Sequence, residues 1–351
     1  MGYTARIWHF EYNMSKSNRD LQMADIAALA GVSKSTVSRA LADSPLVNNK
    51  TKALVRKIAK EKNYRFNSAA RNFRTKQTLT IAVIIAAADD VEWSISDPFF
   101  LEITAAIAEA LDQRGHQLLL TRTRPQQAEW IETFIRNRQA DGVIVIGQGS
   151  IHPQLNDLAE QFDVLSVWGA PVEGGQAYAL AGSNNLHGGR LAGEHIAETG
   201  RKNIAFVGYQ DHPEIASRFA GVQQGLAAHQ LSISSELVFG SLMDRNTGEK
   251  SLEQLVNRRD EYDAVIAASD MQAFKVMSAL QSVGVDIPRD VAVIGYDDIP
   301  AAAIYHPTLT TIRQDRSAGA ELLVDNLLKV LDGKGPSCIE LEPELIIRES
   351  A

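Results

Sequence analysis

The sequence predicts an α/β protein in two parts, a small helical head followed by a two-lobed body of parallel sheets covered by helices. Three observations carry this. Residues 22–63 show helical periodicity broken by short turns. Beyond Leu79, apolar β-rich runs alternate with helical stretches. The charge divides at the same place: residues 1–76 hold 15 Lys and Arg against 5 Asp and Glu, a net of +10, and residues 77–351 hold 20 against 38, a net of −18. The whole-chain net charge of −8 conceals this division. A basic head on an acidic body is the footprint of a protein whose head alone meets a polyanion.

Composition excludes several classes. The 351 residues are 45% apolar and 22% charged, which describes a core-forming globular chain long enough for more than one domain. The longest apolar run, Ile81 to Ala88, has eight residues and is far too short to span a membrane. No basic start leading into a long apolar stretch marks a secretory signal. Cys338 is the single cysteine, so an intrachain disulfide and a Cys-rich zinc site are excluded. A cytoplasmic protein with no membrane contact is expected.

Residues 1–20 lack any periodicity and are expected to be disordered. Met14 precedes a polar stretch, which makes residues 1–13 a candidate upstream extension. The head spans 21–66. Ile26, Ala27, Leu29 and Ala30 form a short apolar face, and Gly31 interrupts it. A second helix begins near Ser33 with Val37 and Leu41 inward. Asp43-Ser44-Pro45 breaks the chain, and Asn48 is the N-cap of a third helix whose inward face is Leu54, Val55, Ile58 and Ala59. Three short helices with a glycine-bearing turn between the first two make a helix-turn-helix.

The chemistry of the head follows from that placement. Ala27 and Val37 are small enough for the first two helices to cross closely. Ser33, as a cap, puts Lys34, Ser35 and Ser38 on the exposed N-terminal side of the second helix, the part of a recognition helix that faces base edges in the major groove. Thr36, Lys50 and Thr51 suit phosphate contacts, which set register. Double-stranded DNA is the expected partner, against the bland reading of a helical hairpin with no nucleic-acid role. Residues 67–77 (NSAARNFRTKQ) read as a short basic linker.

In the body, strands are expected at Ile81–Ile85, Gln117–Leu120, Val143–Ile146, Val164–Val167, Ile204–Val207, Ala264–Ala267 and Val291–Ile294. Helices are expected at Phe99–Arg114, Leu186–Thr199, Ala216–His229 and Met271–Val283. The run of about 270 residues is long for one such sheet, so two similar lobes are expected. Ser96-Asp97-Pro98-Phe99-Phe100 follows the first strand and opens a helix at the carboxyl end of the sheet, the crevice where these folds hold ligands. Enzyme signatures are missing: no GxGxxG, HExxH or GxSxG run occurs, and Gly333-Lys334-Gly335 lacks the rest of a phosphate loop. The eight histidines show no metal-ligand spacing, and His187 and His212, although able to hydrogen-bond a ligand, read as surface residues. No catalytic residue, cofactor or metal is expected.

DIAALAGVSKSTVSRAL (25–41), NNKTKALVRKIAKEKNY (48–64) and NSAARNFRT (67–75) resemble the LacI/GalR family of bacterial transcription regulators, and the likeness runs from Leu21 to the end of the chain. The resemblance implies that Lys34 and Ser35 read bases and that Arg39 also reaches them. It makes 67–77 a hinge helix formed on DNA, with Phe73 as a minor-groove wedge where leucine is usual. Ala70 would allow close approach of paired hinges, and Arg71 and Arg74 would lie near phosphates. It implies a periplasmic-binding-protein-like body at 78–351, with a first lobe about 78–180 and 313–338 and a second about 181–312 and 339–351.

An effector between these lobes would meet Phe99 or Phe100 and Trp168 through stacking, and Arg218, Ser269, Asp297 and Gln314 through hydrogen bonds. Two departures point away from the best-known ligands: Asp97 replaces an asparagine, and Val167-Trp168-Gly169-Ala170 lacks an aspartate common in sugar-binding relatives. The implied function is an effector-responsive repressor, dimeric on a pseudo-palindromic operator. A neutral mono- or disaccharide is the expected effector. A purine is its main competitor, and an acidic sugar is a third option because no carboxylate neighbours Arg218 in sequence. A solute receptor for transport is the alternative from another class. No heptad repeat follows the last strand, expected at Ile346–Ile347, so a dimer is expected rather than a tetramer.

Overall fold

The computed structural model describes residues 21–41, 43–62, 64, 77–86, 96–123, 129–148, 151–172, 174–244 and 246–351. The chain divides into two compact units, Met1–Lys76 and Gln77–Ala351. In the first, α1 (Met23–Ala30), α2 (Lys34–Leu41) and α3 (Asn49–Glu61) close around Ile26, Val37, Ala40 and Val55, each fully buried. Gly31 ends α1 in the left-handed region at φ 64°, the conformation a tight turn asks of glycine. Asn48 caps α3 by accepting the Thr51 amide at 2.8 Å. Leu29 and Leu54 differ from expectation: both are exposed, because Ile26 with Ala30 on α1 and Val55 with Ala59 on α3 already fill this small core.

The second unit holds two six-stranded sheets, one ordered 338–341, 179–183, 165–168, 142–146, 80–86, 117–123 and the other 344–346, 310–313, 292–297, 264–267, 204–207, 238–239. In chain order the first lobe runs β1 (Thr80–Ala86), α4 (Pro98–Gln113), β2 (Gln117–Thr123), α5 (Glu129–Arg136), β3 (Gly142–Ile146), α6 (His152–Gln161), β4 (Leu165–Trp168) and β5 (Ala179–Ser183). The second continues with α7 (Asn185–Glu198), β6 (Ile204–Val207), α8 (Pro213–Ala227), β7 (Val238–Phe239), α9 (Gly248–Asn257), β8 (Ala264–Ala267), α10 (Asp270–Ser282), β9 (Ala292–Asp297) and β10 (Thr310–Arg313). The chain then returns to the first lobe with α11 (Arg316–Leu331) and β11 (Cys338–Leu341), and ends on the second with β12 (Glu344–Ile346). Every described pairing is parallel except β12 against β10.

The apolar runs follow from that topology. On β1, Ile81, Val83 and Ile85 face one core with α4 and α11, and Ala82 and Ile84 face the other, so neither side is polar. The expected lobe boundaries near 180 and 338 cut through strands. Leu180–Ser183 pair in register with Cys338–Leu341, which places both segments in the first sheet, and Arg313 closes β10 in the second. The chain therefore crosses between lobes at three places, after Ser183, Arg313 and Leu341.

Candidate functional site

On the head, Ser33 caps α2: its hydroxyl accepts the Thr36 amide at 3.1 Å and lies 2.7 Å from the Ser35 hydroxyl and 2.8 Å from that of Thr36. Lys34, Ser35 and Arg39 are exposed along α2, and Lys50 is exposed at the start of α3. Thr36 and Thr51 are half-buried. Ser38 is a correction. It is 7% exposed, because it lies three residues before Leu41 and shares its inward side of α2. Asp43, read in sequence only as a breaker, pairs with Lys52 at 3.1 Å and Arg56 at 2.7 Å. The Lys52 hydrogen bond, with both positive charges, holds its carboxyl below the ordinary range. Ala70, Arg71 and Phe73 lie outside the described residues.

In the body, a cavity of about 700 Å³, its mouth included, opens between the lobes at the carboxyl ends of the strands. The first lobe contributes Asp97, Phe99, Phe100, Gly147 and Trp168. Asp97 caps α4 by accepting the Phe99 amide at 2.9 Å, and burial pushes its carboxyl up. The Phe99 and Phe100 rings meet edge-on at 5.5 Å, and Phe99 lies 6.4 Å from the indole of Trp168. Gly319 makes room for that indole: a Cβ there would sit 2.2 Å from its Cζ3 atom.

The second lobe brings the polar groups. Arg218 on α8 donates from Nε to Asn185 Oδ1 at 2.8 Å and from Nη1 to the Ala268 carbonyl at 2.6 Å. Two of its five N–H donors are thereby used. Asp297 lies 3.9 Å from Arg218 Nη1, is 7% exposed and sits at φ 120°, a strained backbone for a residue other than glycine. Burial pushes its carboxyl up to about 7, with Arg218 opposing the rise and Asp97 adding to it. Ser269 caps α10 and lines the cavity.

Six of the seven expected effector residues thus line one cavity, and Gln314 does not. Buried behind it, Gln314 donates to Asp297 Oδ1 at 2.7 Å and orients the carboxylate. His212 is a second correction. It is buried at the start of α8 beside Tyr209, and burial lowers its pKa despite Glu214 and Asp211 nearby.

Glu214, Ile215, Ser241, Met243 and Gln272 also line the cavity and were not singled out from sequence. Glu214 stands four residues before Arg218, one helical turn away, and that spacing is a readable signal. Ser241 and Met243 follow the two-residue β7 and carry none. Glu214 also joins the lobes: the Gln148 amide, just after β3, donates to its Oε1 at 3.3 Å.

A basic helix-turn-helix followed by a two-lobed receptor-like body defines a transcriptional regulator rather than an enzyme. The chain belongs to the lacI family of bacterial regulatory proteins, whose model matches residues 22–67, and a periplasmic binding protein-like domain matches residues 194–351. The HTH-type transcriptional regulator CelR of Thermobifida fusca is 30% identical over 333 residues, 93% of this chain and 96% of its own. A solved CelR–cellobiose complex superposes with a TM-score of 0.69 at 27% identity, covering 94% of this chain and all (100%) of that one. The HTH-type transcriptional repressor PurR of Mannheimia succiniciproducens is 28% identical over 93% of this chain and 97% of its own. The lac repressor dimer bound to operator and the anti-inducer ONPF superposes with a TM-score of 0.76 at 25% identity, covering 95% of this chain and 99% of that chain. Among the described residues no helix is long and apolar enough to cross a membrane.

Proposed function

We propose that the chain is a repressor that binds a pseudo-palindromic operator as a dimer and responds to a neutral mono- or disaccharide held between the lobes. One observation carries the choice of effector. Arg218 already has the Asp297 carboxylate 3.9 Å away, and Asp97 and Glu214 line the same cavity. One guanidinium among three carboxylates disfavours an acidic sugar and favours hydroxyls, which donate to carboxylates and accept from the guanidinium. Phe99, Phe100 and Trp168 supply the apolar surface that a sugar ring face seeks. CelR, seen with cellobiose, supports this reading.

On the head, Lys34, Ser35 and Arg39 read bases, Lys50 and Thr51 hold phosphates, and Ala70, Arg71 and Phe73 form the DNA-paired hinge. Calorimetry on the full chain against saccharide and nucleobase panels tests the effector. A neutral saccharide is expected to bind, and to bind much more weakly to Arg218→Ala. Tight binding of a nucleobase with no saccharide response overturns the reading.

A further inference from the structure

We infer that Tyr296 is the positioning residue of Arg218: its buried ring, held between Arg218 and Gly188, fixes the tilt of the guanidinium that the cavity uses. This rests on the reading of Arg218 as an effector-binding group. The guanidinium carbon lies 3.7 Å from the centroid of the Tyr296 ring, which is 3% exposed. The hydrogen bonds to Asn185 and Ala268 hold the guanidinium at two points and leave it free to rock about the line joining them. A ring stacked beneath it removes that freedom, and in a desolvated site the cation–π attraction is strong. The ring is itself backed by α7. A Cβ at Gly188 would lie 2.4 Å from the Tyr296 hydroxyl oxygen and 2.9 Å from its Cε2. The hydroxyl is buried beside Ser183 and Arg218 without full hydrogen-bond geometry to either, so the ring is the part of Tyr296 that carries the main contact.

Tilt matters because the guanidinium faces Asp297. That carboxylate also has Gln314, the charged Arg316, which donates to the Asp297 carbonyl, and the carboxylates Asp97 and Asp270 around it. Among these, Arg218 is the charge whose distance depends on the ring.

The test uses the full chain with ¹³C-labelled aspartate carboxyls and no saccharide, following the titration of Asp297. Tyr296→Leu is expected to raise its midpoint by roughly one pH unit as the opposing charge tilts away. Tyr296→Phe is expected to leave it unchanged. Gly188→Ala, which drives a methyl into the hydroxyl and the ring edge, is expected to raise it, and adding Tyr296→Phe to bring it only part of the way back, since the methyl still meets Cε2 at 2.9 Å. A purely structural role would lower stability and, by letting water reach the buried carboxyl, leave the midpoint in place or lower it. That result in folded Tyr296→Leu, or in Gly188→Ala, overturns the inference.

Saccharide affinity gives the second readout. For the panel saccharide that the wild-type chain binds, Tyr296→Leu is expected to weaken binding about tenfold, and Tyr296→Phe to leave it intact. Undiminished binding in Arg218→Ala, or a wild-type chain that binds no saccharide, overturns the reading of Arg218 and leaves the titration standing.

Discussion

Asp297 holds its proton up to about pH 7, where an ordinary aspartate has long lost it. Between about pH 4 and 7 the folded chain binds a proton that the unfolded chain has released, so this residue's contribution to stability falls as pH rises through that window. Asp297→Asn removes the titrating group. The stability of wild type relative to this variant is therefore expected to drop between pH 4.5 and 7.5, by an amount on the order of a few kcal/mol. Urea unfolding at both pH values measures it, and parallel changes in the two proteins would refute the assignment. A saccharide whose hydroxyls donate to Asp297 prefers the ionised form, so its affinity should rise over the same window.

At this scale the sequence showed much of the site. Arg218, Asp297, Ser269 and the three aromatics stand in recognisable local motifs. The role of Gln314 was hidden, because nothing in chain position says whether an amide meets a ligand or the carboxylate in front of it. Glu214 could have been found from its place four residues before Arg218, where the sequence reading saw no neighbouring carboxylate, whereas Met243 became a neighbour only through folding.

The helices α7 and α8 cross with almost no side chain between them. A Cβ at Gly189 would lie 2.0 Å from the Arg218 carbonyl, one at Gly221 2.0 Å from that of Leu186, and one at Gly225 2.4 Å from that of Arg190. Each obstacle is backbone, which cannot swing aside. Gly189→Ala is therefore expected to cost about 3 kcal/mol, at the upper end for overpacking. Gly31→Ala offers the control. No atom lies within 4 Å of the added methyl, and only the positive φ of 64° opposes it, at about 1 kcal/mol. Equal losses in urea midpoint for the two variants would contradict this account. Both helices were legible from their apolar spacing despite the glycines. The close crossing was not, since it depends on which faces meet. The short β7 escaped for a different reason: two residues cannot display a period. The last strand was expected at Ile346–Ile347 and lies at Glu344–Ile346, its bounds set by antiparallel pairing with β10.

Across the whole molecule, the bond from Gln148 to Glu214 and the packing of Met271 and Phe274 against the first-lobe core tie the two lobes together. A saccharide that contacts both lobes binds their relative arrangements unequally, and only such a difference can move an operator equilibrium. A saturating saccharide is expected to shift operator affinity roughly 5- to 150-fold, the range of typical couplings. Arg218→Ala should abolish the shift and leave the saccharide-free affinity unchanged. A fluorescence-anisotropy titration of operator DNA at fixed salt measures both, and an unshifted wild-type curve with saccharide bound would separate binding from control. The two-lobed plan could be read from the alternation of strands and helices. The lobe boundaries could not, because β11 reaches the first sheet only after the chain has built most of the second.

That threading has a consequence for synthesis on the ribosome. The three helices of the head are contiguous and can close as soon as they emerge. The first lobe cannot, because Ala320, Leu323, Val324 and Leu327 of α11 cover the face formed by Ile81, Val83, Ile85, Ile144 and Ile146. Roughly 130 residues separate Ser183 from α11. At about 5–20 residues per second, that face waits on the order of 10 s for its cover. The half-built first sheet is thus the stretch of nascent chain that a holding chaperone would meet, and the head is the part it could leave alone.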